Sequence, residues 1–409
     1  MPDQSAPFVG VRVVEVATWQ FVPAAATMMA DLGASVVKVE NTRTGDGQRT
    51  MTGGGLMPTV GGLALPVEQA NRGKRSLSVD LRRAEGIEVL RRLVASADVF
   101  MTNMLAAQRR TLGIDVSDVR TVRPDIVYLR ADGVGRLGPD AGQQGFDPTA
   151  FWSRSGIAAA VGDGTPARSR PGLGDRTSSV SAAFGVAAAL FRRALTGQGA
   201  VVDASLLASA LWSNASDVIF SAAARRDFTS VQMGSPFYET SDGRWVAFSP
   251  TNENLPWTDL FARLGRPELA ADKRFATPSA RASHRGALDD ELRAAFRVDT
   301  LEGWRERMAG FRGAFAPVNN LLDVTSDPQV LANDFLTWAD GSDGLSVPLV
   351  RTPVQIDERL PSLGRAPRLG QHSREVLEEL GYSATEVEAL VASGTVRVED
   401  LDTPATPTG

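Results

Sequence analysis

Apolar positions along the chain follow two periods. Val11-Arg-Val-Val-Glu-Val-Ala17 alternates and is rich in β-branched residues, which predicts a strand, and an Ala/Met-rich run from Pro23 to Leu32 predicts a helix. Ala34-Ser-Val-Val-Lys-Val-Glu40 predicts a second strand. A strand, loop, helix and strand in that order begin a parallel α/β sheet. Further on, the pattern predicts a helix over 85–95, a strand over 98–102, a short helix ending near Gly113 and a strand over 125–131. Alternation of this kind supports an open, doubly wound domain.

The pattern changes near Arg170-Pro-Gly-Leu-Gly-Asp175. Pro171, Gly172 and Gly174 resist helix, whereas Val180, Ala183, Phe184, Ala187, Ala188 and Phe191 recur at three- and four-residue spacing, so a loop turns into a helix close to Asp175. A carboxylate at a helix mouth is favoured by the unpaired N–H groups of the first turn. Taken alone, Asp175 also reads as a simple N-cap. The helix ends at Thr196-Gly-Gln-Gly199, and a second helix is expected over 205–223. Around Ala224-Arg-Arg-Asp227 the character shifts to a hairpin through Asp242-Gly243 followed by short charged helices. The expected organisation is therefore 1–223 as the first part of a large α/β domain, 224–326 as a small α+β domain, and 327–409 as a return to the large one. The tail after Thr403 is expected to fray.

Composition narrows the chemistry. The chain has 409 residues and no cysteine, which excludes disulfides, thiolate metal sites and a Cys nucleophile. The two histidines, His284 and His372, stand apart at predicted helix starts, so no metal site is expected. Carboxylates, hydroxyls, amides or backbone must carry the reaction. A net charge of −5 argues against nucleic-acid binding, no apolar run reaches the roughly 18 residues of a membrane span, and the N-terminus lacks the pattern of a signal peptide, which together point to a cytoplasmic protein.

Gly133-Val-Gly-Arg-Leu-Gly138 formally matches the dinucleotide fingerprint. That fingerprint needs its last glycine to open a helix, yet Pro139-Asp-Ala-Gly follows, so no nicotinamide or flavin cofactor is expected and a glycine loop over an active site is the functional alternative to a plain connector.

Eight segments, in order, resemble the family III CoA-transferases, a group that includes formyl-CoA transferase and α-methylacyl-CoA racemase. They are VRVVEVATWQFVPAAATMMADLGASVVKVE, NRGKRSLSVDLR, TNMLAAQRRTLGID, GVGRLGP, RPGLGDRTSSVSAAFGVAAALFRR, TGQGAVVDASLL, SDPQV and APRLGQH. The resemblance implies a Rossmann-like large domain built from both ends of the chain and an interlocked homodimer. It implies CoA transfer from an acyl-CoA donor to a carboxylic acid acceptor, with Asp175 as nucleophile and coenzyme A as substrate. By motif position it assigns Trp19, Gln20, Phe21, Val79, Arg82, Asn103 and Met104 to CoA binding, with Lys74, Arg75, Arg109 and Arg110 as nearby charge for the phosphates. Gly133, Gly135 and Gly138 would supply N–H donors to developing oxyanions.

Two alternatives accompany that reading. The racemase branch uses a His immediately before an Asp, whereas here Phe146 precedes Asp147, so a racemase would have to oppose Asp147 to Asp175. A non-catalytic acyl-CoA-binding homologue would bind CoA without forming an adduct.

Overall fold

A computed structural model describes residues 5–51, 59–162, 164–227, 237–249, 256–341 and 344–399. The expected frayed tail and the Gly53–Gly55 run lie outside the described residues. Contacts divide the chain into two units, one of Met1–Asp227 with Asp334–Gly409 and the other of Phe228–Asn333.

The first unit is organised by strands β1 (Arg12–Val16), β2 (Ser35–Glu40), β3 (Arg75–Val79), β4 (Val99–Thr102), β5 (Val127–Asp132) and β6 (Val201–Ser205). They pair in parallel in the order 3-2-1-4-5-6, and Val396–Arg397 adds antiparallel outside β3. Val13, Val14, Val16, Val99, Phe100, Val127 and Leu129 are almost wholly buried. Near-continuous apolar strands of this kind belong to a sheet covered on both faces.

Helix α1 (Phe21–Asp31) and a long helix described below cover one face, where Phe21, Val22, Ala25 and Met29 meet Ala182, Val186 and Ala189. Helix α2 (Ala84–Ala95) covers the other with Val89, Leu90, Leu93 and Val94, joined by Val376, Leu377 and Val387 from near the C-terminus. Between β4 and β5 lie two short helices, α3 (Ala106–Thr111) and α4 (Val116–Val122).

The long helix, α5 (Leu173–Thr196), starts at Gly172 with φ 76° and stops at Gly197 with φ 69°. Both ends need a left-handed residue, which glycine adopts without a Cβ penalty. Its buried face is not the one that carries the large apolar residues. Ser178, Ser179, Ala182, Val186 and Ala189 turn inward, while Val180, Phe184 and Phe191 are exposed, Phe184 by 74%. Small residues win the inner face because α1 presents Ala24, Ala25 and Ala26 there and the two backbones approach closely.

One expectation changes here. The helix expected over 205–223 breaks at Asn214 into α6 (Leu206–Ser213) and α7 (Ala215–Ala224), and β6 precedes it as an additional strand. The Phe146–Gly156 stretch forms a wide turn of helix, Asp147–Ser153, in which the Arg154 N–H reaches back five residues to the Thr149 carbonyl.

The second unit has a three-stranded antiparallel sheet in the order β9-β8-β7, from β7 (Phe237–Glu239), β8 (Trp245–Ser249) and β9 (Ala314–Pro317). Tyr238, Phe248, Phe261, Phe296 and Trp304 fill its core.

Candidate active site

Strand order reverses direction between β1 and β4, since β1 is followed outward by β2 on one side and by β4 on the other. Crevices form beyond the carboxyl ends of strands at such a switch point. A pocket of about 260 Å³ lies there. The loop after β1 contributes Thr18 and Trp19, the start of α1 contributes Phe21, the loop after β4 contributes Asn103, Met104 and Leu105, and α3 contributes Gln108. The end of β5 and its loop add Ala131, Asp132, Gly133, Gln144, Gly145 and Phe146, and the helices add Asp175 and Leu206.

Six residues assigned from sequence therefore converge on one pocket: Trp19, Phe21, Asn103, Met104, Gly133 and Asp175. Gln20 is buried and spends its amide on Gln48. Val79 is packed in the core against α2, so its side chain offers no surface to a ligand. Arg82 stands outside the pocket, 69% exposed and bonded to Asp80 at 2.7 Å. Gly135 and Gly138 are not part of the pocket wall, and the Gly135 N–H is donated to Asp132. Gly133 has another reason to be glycine, because a Cβ there would stand 2.5 Å from the Gly145 Cα where the two loop arms touch.

Three of the basic residues near Arg82 and Asn103 in sequence are already paired. Lys74 is fully buried on Glu15 at 2.6 Å, Arg109 pairs with Asp115 at 3.0 Å, and Arg75 bonds Glu375 and Glu379.

Asp175 occupies the third position of α5. It is not the N-cap, since Gly172 fills that place with no side-chain cap. Burial, then the neighbouring charge of Asp147, push its carboxyl up to about 7, against the pull of Arg176. The helix mouth was expected to favour the ionised form; desolvation and a like charge outweigh it. Asp147 is also raised by burial, and neither of its oxygens has a hydrogen bond of ordinary geometry. The Gly172 and Gly174 amides, Arg176 and the Trp152 indole offset only part of that cost. Asp147 packs against Gly174 so closely that a Cβ there would lie 2.4 Å from Asp147 Oδ1 and 2.4 Å from Phe151 Cγ. Gly174→Ala is thus expected to destabilise the protein by about 1–3 kcal/mol, read as a lower Tm, because both neighbours would have to move. An unchanged Tm would contradict that packing.

Trp19 is held by its surroundings. Its φ of 67° is left-handed, an unfavourable conformation for a bulky residue. Its N–H donates to Asp46 Oδ1 at 3.1 Å and its carbonyl accepts from Gln48 Nε2 at 2.5 Å. Asp46 in turn meets Lys38 at 3.0 Å, and Lys38 shares Glu15 with Lys74. The indole lies against Gly47 and edge-on to Phe146, with ring centroids 6.3 Å apart. Asn103 ties the two loops together, donating to the Thr18 carbonyl at 2.6 Å and accepting the Thr18 N–H at 3.1 Å.

Sequence reasoning missed Asp132, Gln108, Gln144 and Leu206. Only Asp132 carried a usable signal, a carboxylate at the very end of a predicted strand. Among the described residues no group of three or more His, Cys, Asp and Glu is placed to hold a metal ion, and no helix is long and apolar enough to cross a membrane.

The family model for CoA-transferase family III matches residues 8–373. The (R)-2-hydroxy-4-methylpentanoate CoA-transferase of Clostridioides difficile is 30% identical over 95% of this chain and 99% of its own length. The succinate–glutarate CoA-transferase of Agrobacterium fabrum is 31% identical over 93% and 97%. A crystal structure of a CaiB/BaiF family protein from Brucella suis superimposes with a TM-score of 0.79 and 31% identity, covering 92% of this chain and all of the other.

Proposed function

The chain belongs to CoA-transferase family III and is an acyl-CoA:carboxylate CoA-transferase, and from that premise we propose that Asp175 is the nucleophile that carries CoA between the two acids. The observation that supports this most is the convergence of Asp175 with Trp19, Asn103 and Met104 on one pocket at the switch point of the sheet. The strand order fits a Rossmann-like CoA-binding domain, with pantetheine entering beside Trp19, Asn103 and Met104.

The exchange balances without an external energy source. The Asp175 carboxylate attacks the thioester carbonyl, the C–S bond breaks, and a mixed anhydride and CoA thiolate result. The thiolate attacks the aspartyl carbonyl of the anhydride, releasing the donor acid and leaving an aspartyl-CoA thioester. The acceptor carboxylate attacks that thioester to form a second anhydride and free the thiolate, which then attacks the acceptor carbonyl and restores Asp175. Each step exchanges one activated carboxyl for another, so covalent catalysis replaces one difficult substitution with four easier ones.

Burial of Asp175 has a use in this scheme. A carboxylate stripped of water is a stronger nucleophile, at the cost of needing a higher pH to ionise. Adduct formation should therefore rise about tenfold per pH unit up to pH 7 and level off above it. Asp147→Asn removes the neighbouring like charge and should shift that limb to lower pH. Rapid-quench measurement of adduct formation between pH 5 and 9 checks both, and a flat profile would contradict the proposed ionisation.

The homodimer implied by the family fits an apolar stripe on the outside of α5. Val180, Phe184, Phe191 and Leu195 are all exposed there, and burying them against a second copy would remove that surface from water. We place the protein in the cytoplasm, in keeping with a free acyl-CoA substrate.

A further inference from the structure

The pocket wall is uneven in its chemistry. Trp19, Phe21, Met104, Leu105, Phe146 and Leu206 are apolar, and the charged side chains are Asp175 and Asp132. Among the described residues lining the pocket there is no Lys, Arg or His. Most cations near the wall in the chain are committed elsewhere, and Arg110, exposed on α3, is not part of it. Arg109 bonds Asp115 and the Met104 carbonyl, Arg130 and Arg136 both pair with Asp203, and Lys38 and Lys74 are sealed on Glu15. Arg176 is not part of the wall either; its guanidinium packs back on Gly172, where a Cβ would stand 3.2 Å from Nη1. Asp132, at the end of β5, accepts the Gly135 N–H, and burial raises its pKa.

A carboxylate at the far end of an acyl chain in this pocket would lose water, find no cation among the described residues of its wall and face Asp132. We propose that Asp132 is a specificity-determining residue that turns away acyl groups bearing a second carboxylate, so that the acids exchanged are monocarboxylates with an apolar body. The inference rests on the reading that the acyl carbonyl sits at Asp175. The reacting carboxylate itself escapes the repulsion from Asp175, because the donor acyl group arrives as a neutral thioester and the acceptor meets Asp175 as a neutral aspartyl thioester. Only a second, non-reacting carboxylate remains charged throughout.

Binding of CoA thioesters to the Asp175→Asn protein tests this apart from turnover. Isothermal titration should give a Kd at least about tenfold lower for 3-phenylpropanoyl-CoA than for glutaryl-CoA, the scale expected when like charges are brought together. Asp132→Asn in the same background should narrow the gap by improving glutaryl-CoA, with 3-phenylpropanoyl-CoA changed by no more than about twofold. Gln108→Arg, which adds a cation to the same wall, should favour glutaryl-CoA independently of Asp132. Glutaryl-CoA bound equally or more tightly by the Asp175→Asn protein, or a gap that neither substitution moves, would overturn the proposal, as would binding of neither thioester. Failure of the Asp175 reading shows separately, as CoA transfer that persists in the Asp175→Asn enzyme.

Discussion

Replacing Asp175 with Asn should reduce CoA transfer by at least about a thousandfold, because the amide cannot attack a thioester and no second carboxylate stands in its place in the covalent scheme. The substitution is nearly isosteric and removes a carboxyl that is costly to ionise where it sits, with its pKa pushed up to about 7. A group whose folded pKa lies above its unfolded value adds stability at low pH and loses it as pH rises through the folded pKa. At pH 8 that contribution is gone, so the Asn variant should melt at the same or a higher temperature than the parent. An inactive variant with an intact or raised Tm would separate lost chemistry from lost fold. Residual activity within tenfold of the parent would remove Asp175 from the mechanism.

Glu15→Ala should be among the most damaging single changes to stability, costing about 3–5 kcal/mol. Glu15 is wholly buried and accepts from Lys38 Nζ at 2.7 Å and Lys74 Nζ at 2.6 Å. Two ammonium groups and the carboxylates of Glu15 and Asp46 balance; removing Glu15 leaves one cation too many in the interior. Lys74 is the surplus one, since Lys38 keeps Asp46. Burial, with Lys38 beside it, already draws Lys74 down to about 8 against the pull of Glu15. The double variant Glu15→Ala/Lys74→Met should therefore recover part of the loss in urea melts, although it takes the Lys74 donor from the Pro23 and Ala70 carbonyls, Ala70 keeping the Thr27 hydroxyl. A double variant less stable than Glu15→Ala would show that Lys74 is not the unpaired charge. Activity should fall as well, because the same network reaches Trp19 through Lys38 and Asp46.

How far the sequence carries depends on what each feature rests on. The β1 and β2 strands and α1 are local matters of β-branched alternation and an alanine-rich run, and they form where the pattern puts them. So does the loop-to-helix turn at Gly172, where only glycine takes the required φ. The buried face of α5 was not legible, because its apolar repeat, Val180, Phe184 and Phe191, faces outward and the inner face is built of Ser and Ala. Which face turns inward was decided by the alanines of α1, a contact far apart in sequence. The site shows the same division. Six of the residues named by motif position line one pocket, yet sequence could not show that Lys74 and Arg109 are consumed by Glu15 and Asp115, that the Gly135 amide is taken by Asp132, or that Arg82 lies outside. Glu15 lies far from Lys74 in sequence and is brought near by folding, whereas Asp115, Asp132 and Asp80 are close in sequence to their partners and capture them only through the local backbone geometry that the fold sets. The raised pKa of Asp175 belongs to the same class, since it arises from burial and from Asp147 across Gly174.

The most direct test of the covalent route is to incubate the protein with an acyl-CoA, trap with hydroxylamine or borohydride, and map the modified residue by mass spectrometry. Modification is expected at Asp175 and absent from the Asp175→Asn protein. Modification confined to another residue, or CoA transfer with no trappable adduct at Asp175, would contradict it.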